Sequence, residues 1–298
     1  PPDRNPWIHI PAGFTRTLSN PKVNWLFESE PSEGTAGRAV YVPRGKTLGG
    51  SSSINGHIYN RGQRMDFDTW AQMGNRGWSF ADVLPYFKRS ERRIGDGDDT
   101  YRGRDGELVV TDVDRRDPVS DAFINGVANL GIPRGLDYNG AVQEGVGYFQ
   151  RTIHKGRRVS AARAFLKPAR RRANLKVLTH THVTRILFEG RRATAVRYRQ
   201  GDQDHEVRAN REILLAAGAI ASPQILQVSG VGPSGLLQDI GVTPVHALGG
   251  VGENLSDHFG IRLAAQLQGV KTINERTRGL PLAIEAIKYG LARKGVLA

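Results

Sequence analysis

Between Leu175 and Ala217 the sequence changes period, and that change constrains the fold more than any other feature. Leu175–Leu178, Val183–Phe188, Ala193–Tyr198 and His205–Arg208 are short β-type runs, with Glu189-Gly190 and Gly201-Asp202 supplying turns. Glu212-Ile213-Leu214-Leu215-Ala216-Ala217 follows as a continuous apolar run, which suits a strand buried on both faces. Gly218 ends it, and Ser222-Pro223 offers a helix start, serine as N-cap and proline in the first turn. A meander and then a strand that leads through glycine into a helix predict a mixed α/β fold with a layered sheet. Sheets of that kind bind ligands at their strand ends.

Upstream, the first forty residues are rich in proline and polar side chains and read as an extended surface segment. Ile54–Tyr59 is expected to open a helix, and Asp66–Ala71 and Phe80–Ser90 read as short helices, the second with Ser79 as N-cap. Gly95–Gly106 is a loop dense in glycine and aspartate, and Val119–Leu130 has helical spacing closed by Gly131. There are no cysteines, which excludes disulfides, thiolate metal sites and cysteine nucleophiles. No apolar run is long enough to span a bilayer. Nothing in the sequence argues for export, so a cytoplasmic location is expected.

The formal charge of +13 admits a polyanion-binding module as an alternative reading. The basic runs Arg170-Arg171-Arg172 and Arg191-Arg192 lack interleaved aromatics that could stack on bases, so no nucleic-acid partner is expected. Two further motifs fail on context. Gly45-Lys46-Thr47 imitates the end of a P-loop, but Val40 stands where the first glycine is required. Gly230-Val231-Gly232-Pro233-Ser234-Gly235 has the G-x-G-x-x-G spacing yet follows a helical segment, so it reads as a helix-ending loop.

The segment with the most chemistry runs from Pro43 through Gly45, Gly49-Gly50-Ser51-Ser52-Ser53 and Ile54-Asn55-Gly56-His57 to Gly62. Paired glycines let a backbone approach a flat or anionic ligand without Cβ clashes. The serines can cap a helix whose N–H groups favour phosphate, and Asn55 offers both donor and acceptor. His180 and His182 alternate on a β-type run, but no third ligand completes a metal site.

Gly45–Asp68 resembles the first signature of the glucose–methanol–choline (GMC) oxidoreductases. Gly218–Gly232 is similar to the second, and Gly252-Glu253-Asn254-Leu255-Ser256-Asp257-His258 resembles a segment those proteins carry after it. The resemblance implies an FAD-binding, Rossmann-like layered sheet with a β-meander, and the start of a substrate-binding antiparallel sheet around Ile261–Leu267. It divides the chain into FAD-binding parts at 1–110 and 161–255, a helical and loop segment at 111–160, and the substrate-domain start at 256–298. It places FAD along Gly49, Gly50, Ser51, Asn55 and Gly56, with the Val183 backbone at the adenine end. Some relatives attach FAD through a histidine directly before the Asn55 position; Ile54 stands there, which implies non-covalent FAD, and His57 reads as a helix residue. An alcohol substrate and an acceptor that is oxygen or quinone-like are implied. The family's first G-x-G-x-x-G strand unit and its catalytic histidine map outside Pro1–Ala298. No catalytic residue is therefore assigned here, both ends read as cuts, and the chain alone is expected to be inactive.

Overall fold

The computed structural model describes residues 1–135, 137–258, 260, 264–270 and 272–298. They form two compact units: Pro1–Val177 with Leu267–Ala298, and Leu178–Gln266.

The first unit opens on helical turns at Pro6–His9, Pro11–Gly13 and Phe14–Thr17, where an extended segment was expected. Asn5 caps the first turn by accepting the Trp7 N–H at 3.0 Å, and Ile8 is fully buried against Val23 and Ile54. Burying Ile8 offsets the ordering of a proline-rich segment that has little helical preference of its own. The helix Arg64–Gln72 extends the expected one at both ends. Phe80–Ser90 matches expectation, with Ser79 and Asp82 exchanging cap bonds. Phe67 joins these two helices through edge and tilted contacts with Trp70, Phe80 and Phe87.

Glu91–Ile94 then pairs in parallel with Leu108–Thr111 across the expected loop. The helix Pro118–Asn129 starts on Asp117, whose carboxylate accepts two backbone N–H groups, and Gly131, at φ +92°, closes it. A hairpin pairs Ile153–His154 with Arg157–Arg158. Val109, Val159 and Ala164 form the local core beneath it.

The second unit begins with the meander: Thr181–Glu189, Arg192–Gln200 and Gln203–Arg208 pair antiparallel in that order. Gly190 and Gly201, both at φ +59°, make its turns. Leu175–Leu178 is not a strand. Nor is Glu212–Ala217: Leu214 is 81% exposed, and no described strand lies beside the run to take up its backbone groups. The following helix spans Gly218–Val228, a turn earlier than expected. Ser222 accepts the Ala217 N–H through its side chain at 3.1 Å, and Pro223 lies inside the helix. Gly230, at φ +91°, turns the chain so that Val231–Gly232 pairs in parallel with His246–Ala247, as a helix-ending loop should.

The chain then returns to the first unit with helices Ile273–Arg276 and Gly279–Ala292. Ile261–Leu263, at the start of the expected substrate-facing sheet, lie outside the described residues, and 264–270 contain no strand.

Candidate cofactor site

The glycine–serine segment folds into a loop that doubles back on itself. A Cβ on Gly45 would come within 2.2 Å of the Gly50 carbonyl oxygen, an approach open only to glycine. The Gly45 N–H donates to Ser51 Oγ at 3.1 Å. Gly49, at φ +87°, leads into a short 3-10 turn at Gly50–Ser53. Ser52 Oγ donates to the Gly49 carbonyl and accepts the Ala161 N–H at 2.9 Å; buried Ser53 donates to the Leu48 carbonyl at 2.7 Å. Three serines thus hold the loop's shape, Ser51 among them while it stays exposed.

No helix follows at Ile54–Tyr59. His57 adopts φ +68°, a left-handed conformation that breaks helical continuation. Ile58 then bridges Arg151, and the Tyr59 N–H donates to the Gln150 carbonyl at 2.9 Å. Ile54 is 1% exposed and points into the cluster with Ile8 and Val23. The Cβ positions of Gly50 and Gly56 meet nothing within 4 Å, so the loop is open to space there.

Asn55 is exposed. Its Oδ1 accepts the His57 N–H at 3.1 Å and Arg158 Nη1 at 2.8 Å. Arg158 is 1% exposed; it also donates through Nε to the Ile8 carbonyl at 2.8 Å and through Nη1 to the Ser52 carbonyl at 3.1 Å. Its buried Nη2 has no partner. Burial draws the Arg158 pKa down to about 10, which leaves it charged at neutral pH. The His57 ring is buried, edge-on to Phe14, and its Nε2 has no partner. Burial, then the charges of Arg158 and Arg151, lower the His57 pKa to about 3, so the ring is neutral. Beside Leu48 and Ala162 lies a cleft of about 270 Å³, whose walls include Arg157, Arg163, Lys167 and Arg170.

Gly49, Gly50, Ser51, Asn55 and Gly56 therefore share one loop. Val183 belongs to the second unit; it is 37% exposed and pairs with Tyr198 beside a bulge in the meander. Sequence reading missed Arg158, because nothing local distinguishes it among 42 lysines and arginines. Among the described residues no group of histidines and carboxylates could hold a metal, and no helix is long and apolar enough to cross a membrane.

The sequence matches the GMC oxidoreductase family over residues 13–260. It is 42% identical over 295 residues to an oxygen-dependent choline dehydrogenase of Brucella canis, covering 99% of this chain and 52% of that protein. The chain thus spans about half the length of the curated relatives it matches. Among solved structures, pyridoxine 4-oxidase from Mesorbium loti is 35% identical, with a TM-score of 0.77 over 82% of this chain and 48% of that one. An FAD-dependent oxidoreductase from Chaetomium thermophilum is 28% identical, with a TM-score of 0.84 over 99% of this chain and 53% of that one. The signature-bearing loop and helix, the mixed α/β architecture and the extent of these matches together mean that this chain belongs to the GMC oxidoreductase family.

Proposed function

We propose that this chain supplies FAD-binding parts of an oxidoreductase that acts on the CH–OH group of an alcohol. The carrying observation is the open side of the loop at Gly50 and Gly56, with an exposed Asn55 and, beside Leu48, a cleft lined by four cationic side chains with His9 and a single carboxylate, Asp3. That donor set fits a flat, hydrogen-bonding ring system joined to an anionic group. Gly49, Gly50, Ser51, Asn55 and Gly56 would hold the isoalloxazine and pyrophosphate. The relatives' names support the reaction class: one is an oxygen-dependent choline dehydrogenase, another a pyridoxine 4-oxidase.

FAD, when bound, supplies the acceptor for the hydride leaving the carbinol carbon and passes electrons on to oxygen or a quinone-like acceptor. This chain's residues orient the cofactor and keep water from the underside of the loop, where Ile54, Ser53 and Arg158 are packed. FAD is held without a covalent bond: Ile54 has no nucleophile, and its side chain lies in the core. His57 is not the substrate's proton acceptor, because its ring is buried and its pKa is far below neutrality. With no proton acceptor assigned, the isolated chain is expected to show no alcohol turnover.

The test is flavin content and quenching of flavin fluorescence on titration of the protein expressed from its whole gene. Oxygen uptake with choline and with simple primary alcohols should accompany it. Stoichiometric FAD and uptake with one alcohol class are expected. A colourless protein that binds heparin with a steep salt dependence overturns the reading in favour of a polyanion-binding module.

A further inference from the structure

Arg158 is a buried cation without an anion. Among the described residues no carboxylate pairs with it; its partners are three neutral oxygens, those of Ile8, Ser52 and Asn55. A buried charge held only by dipoles is costly, because neutral oxygens repay only part of its lost hydration.

The partner that reaches the surface is Asn55. Two donors converge on its Oδ1, the His57 N–H and Arg158 Nη1. A flipped amide would set NH2 against both, losing two hydrogen bonds, one of them charge-assisted. Arg158 Nη2 lies below the surface, so a bound molecule would feel Arg158 through Asn55.

We propose that Arg158 is a positioning residue that, with the His57 N–H, locks the Asn55 oxygen inward and so presents the Asn55 NH2 to the cofactor as an obligatory donor. This rests on the reading that the loop carries FAD. The acceptor it would meet is an electron-rich carbonyl or ring nitrogen of the isoalloxazine. Arg158 withdraws electron density through the amide, which strengthens the outward donor. By holding the Ile8 and Ser52 carbonyls as well, it fastens the 3-10 turn to the first helical turn of the chain.

The decisive variant is Asn55→Asp in the protein expressed from its whole gene, with flavin removed and then titrated back. The new inner oxygen still accepts from Arg158 and now supplies the missing anion, while the outward NH2 is replaced by an acceptor. The melting temperature of the flavin-free protein should rise by about 2–4 °C, whereas the Kd for FAD should rise about tenfold. A residue that merely supported the fold would not move these two readouts in opposite directions. Arg158→Met should lower FAD affinity as well, and Asn55→Leu should then add little to it, because the unlocked amide no longer has a fixed donor to lose. If Arg158→Met does not fold, Asn55→Asp decides alone. FAD binding by Asn55→Asp equal to wild type, or additive effects of Arg158→Met and Asn55→Leu, overturns the proposal and leaves the cofactor reading standing. Wild-type protein that takes up no FAD overturns both.

Discussion

Glu91 and Arg102 form an ion pair in which neither side chain is exposed to solvent. Arg61 Nη2 joins them at 2.6 Å from Glu91 Oε2, and the Gly103 N–H donates to the same oxygen at 2.9 Å. Arg61 lies just past the glycine–serine loop, where its own N–H donates to Asn139 Oδ1 at 2.8 Å. The loop's exit is therefore anchored by buried charge.

Removing one partner leaves the others buried and uncompensated. Glu91→Gln or Arg102→Met should cost about 3–5 kcal/mol of unfolding free energy, measured by chemical denaturation. The exposed pair Arg199–Asp204 is the control: Asp204→Asn should leave the transition unmoved.

The loop's glycines should separate by function. Gly49→Ala places a Cβ 2.5 Å from Ser53 Oγ and 3.1 Å from Ala162 Cβ at a left-handed φ, so the flavin-free protein should melt lower, a loss of about 1–3 kcal/mol. Gly56 has no positive φ and open space around it. Gly56→Ala should leave melting of the flavin-free protein unchanged while FAD affinity falls. Equal melting of the two variants would contradict the geometry.

Ile54 is a core residue. Ile54→Ala should cost about 2–4 kcal/mol. Ile54→His, which restores the attachment residue of some relatives, should destabilise the fold without fixing the flavin, because the side chain points at Ile8 and Val23. Acid precipitation should leave the flavin in the supernatant.

His57 should make the fold sensitive to acid. Its pKa is lowered from 6.5 to about 3 in the folded chain, by burial and the charges of Arg158 and Arg151. The unfolded chain therefore binds the proton first as pH falls. The stability is fully present above pH 6.5 and is lost progressively from there toward pH 3. Melting curves between pH 7 and pH 4 should show a shallower decline for His57→Gln than for wild type, and parallel declines would refute the assignment.

By itself the sequence determined the elements whose signals are local. Ser79 as a cap, the helical spacing from Val119 that Gly131 closes, and the glycines at 190 and 201 start, stop or turn the chain through bonds spanning a few residues. The helices at 80–90 and 118–129 and the meander were legible for that reason. So was the glycine–serine loop, because glycine alone can make its close approaches. Tertiary structure decided the rest. Glu212–Ala217 has a strand's composition, but a strand exists only beside a partner, and none among the described residues pairs with it. The 54–59 segment leaves the helical path because Ile54 is drawn into the core and Tyr59 bonds to Gln150, far along the chain. Asn55 meets its guanidinium across 103 residues, and Glu91 meets Arg61 across 30. No local pattern records such pairings, because long-range burial selects which of many similar arginines loses its water.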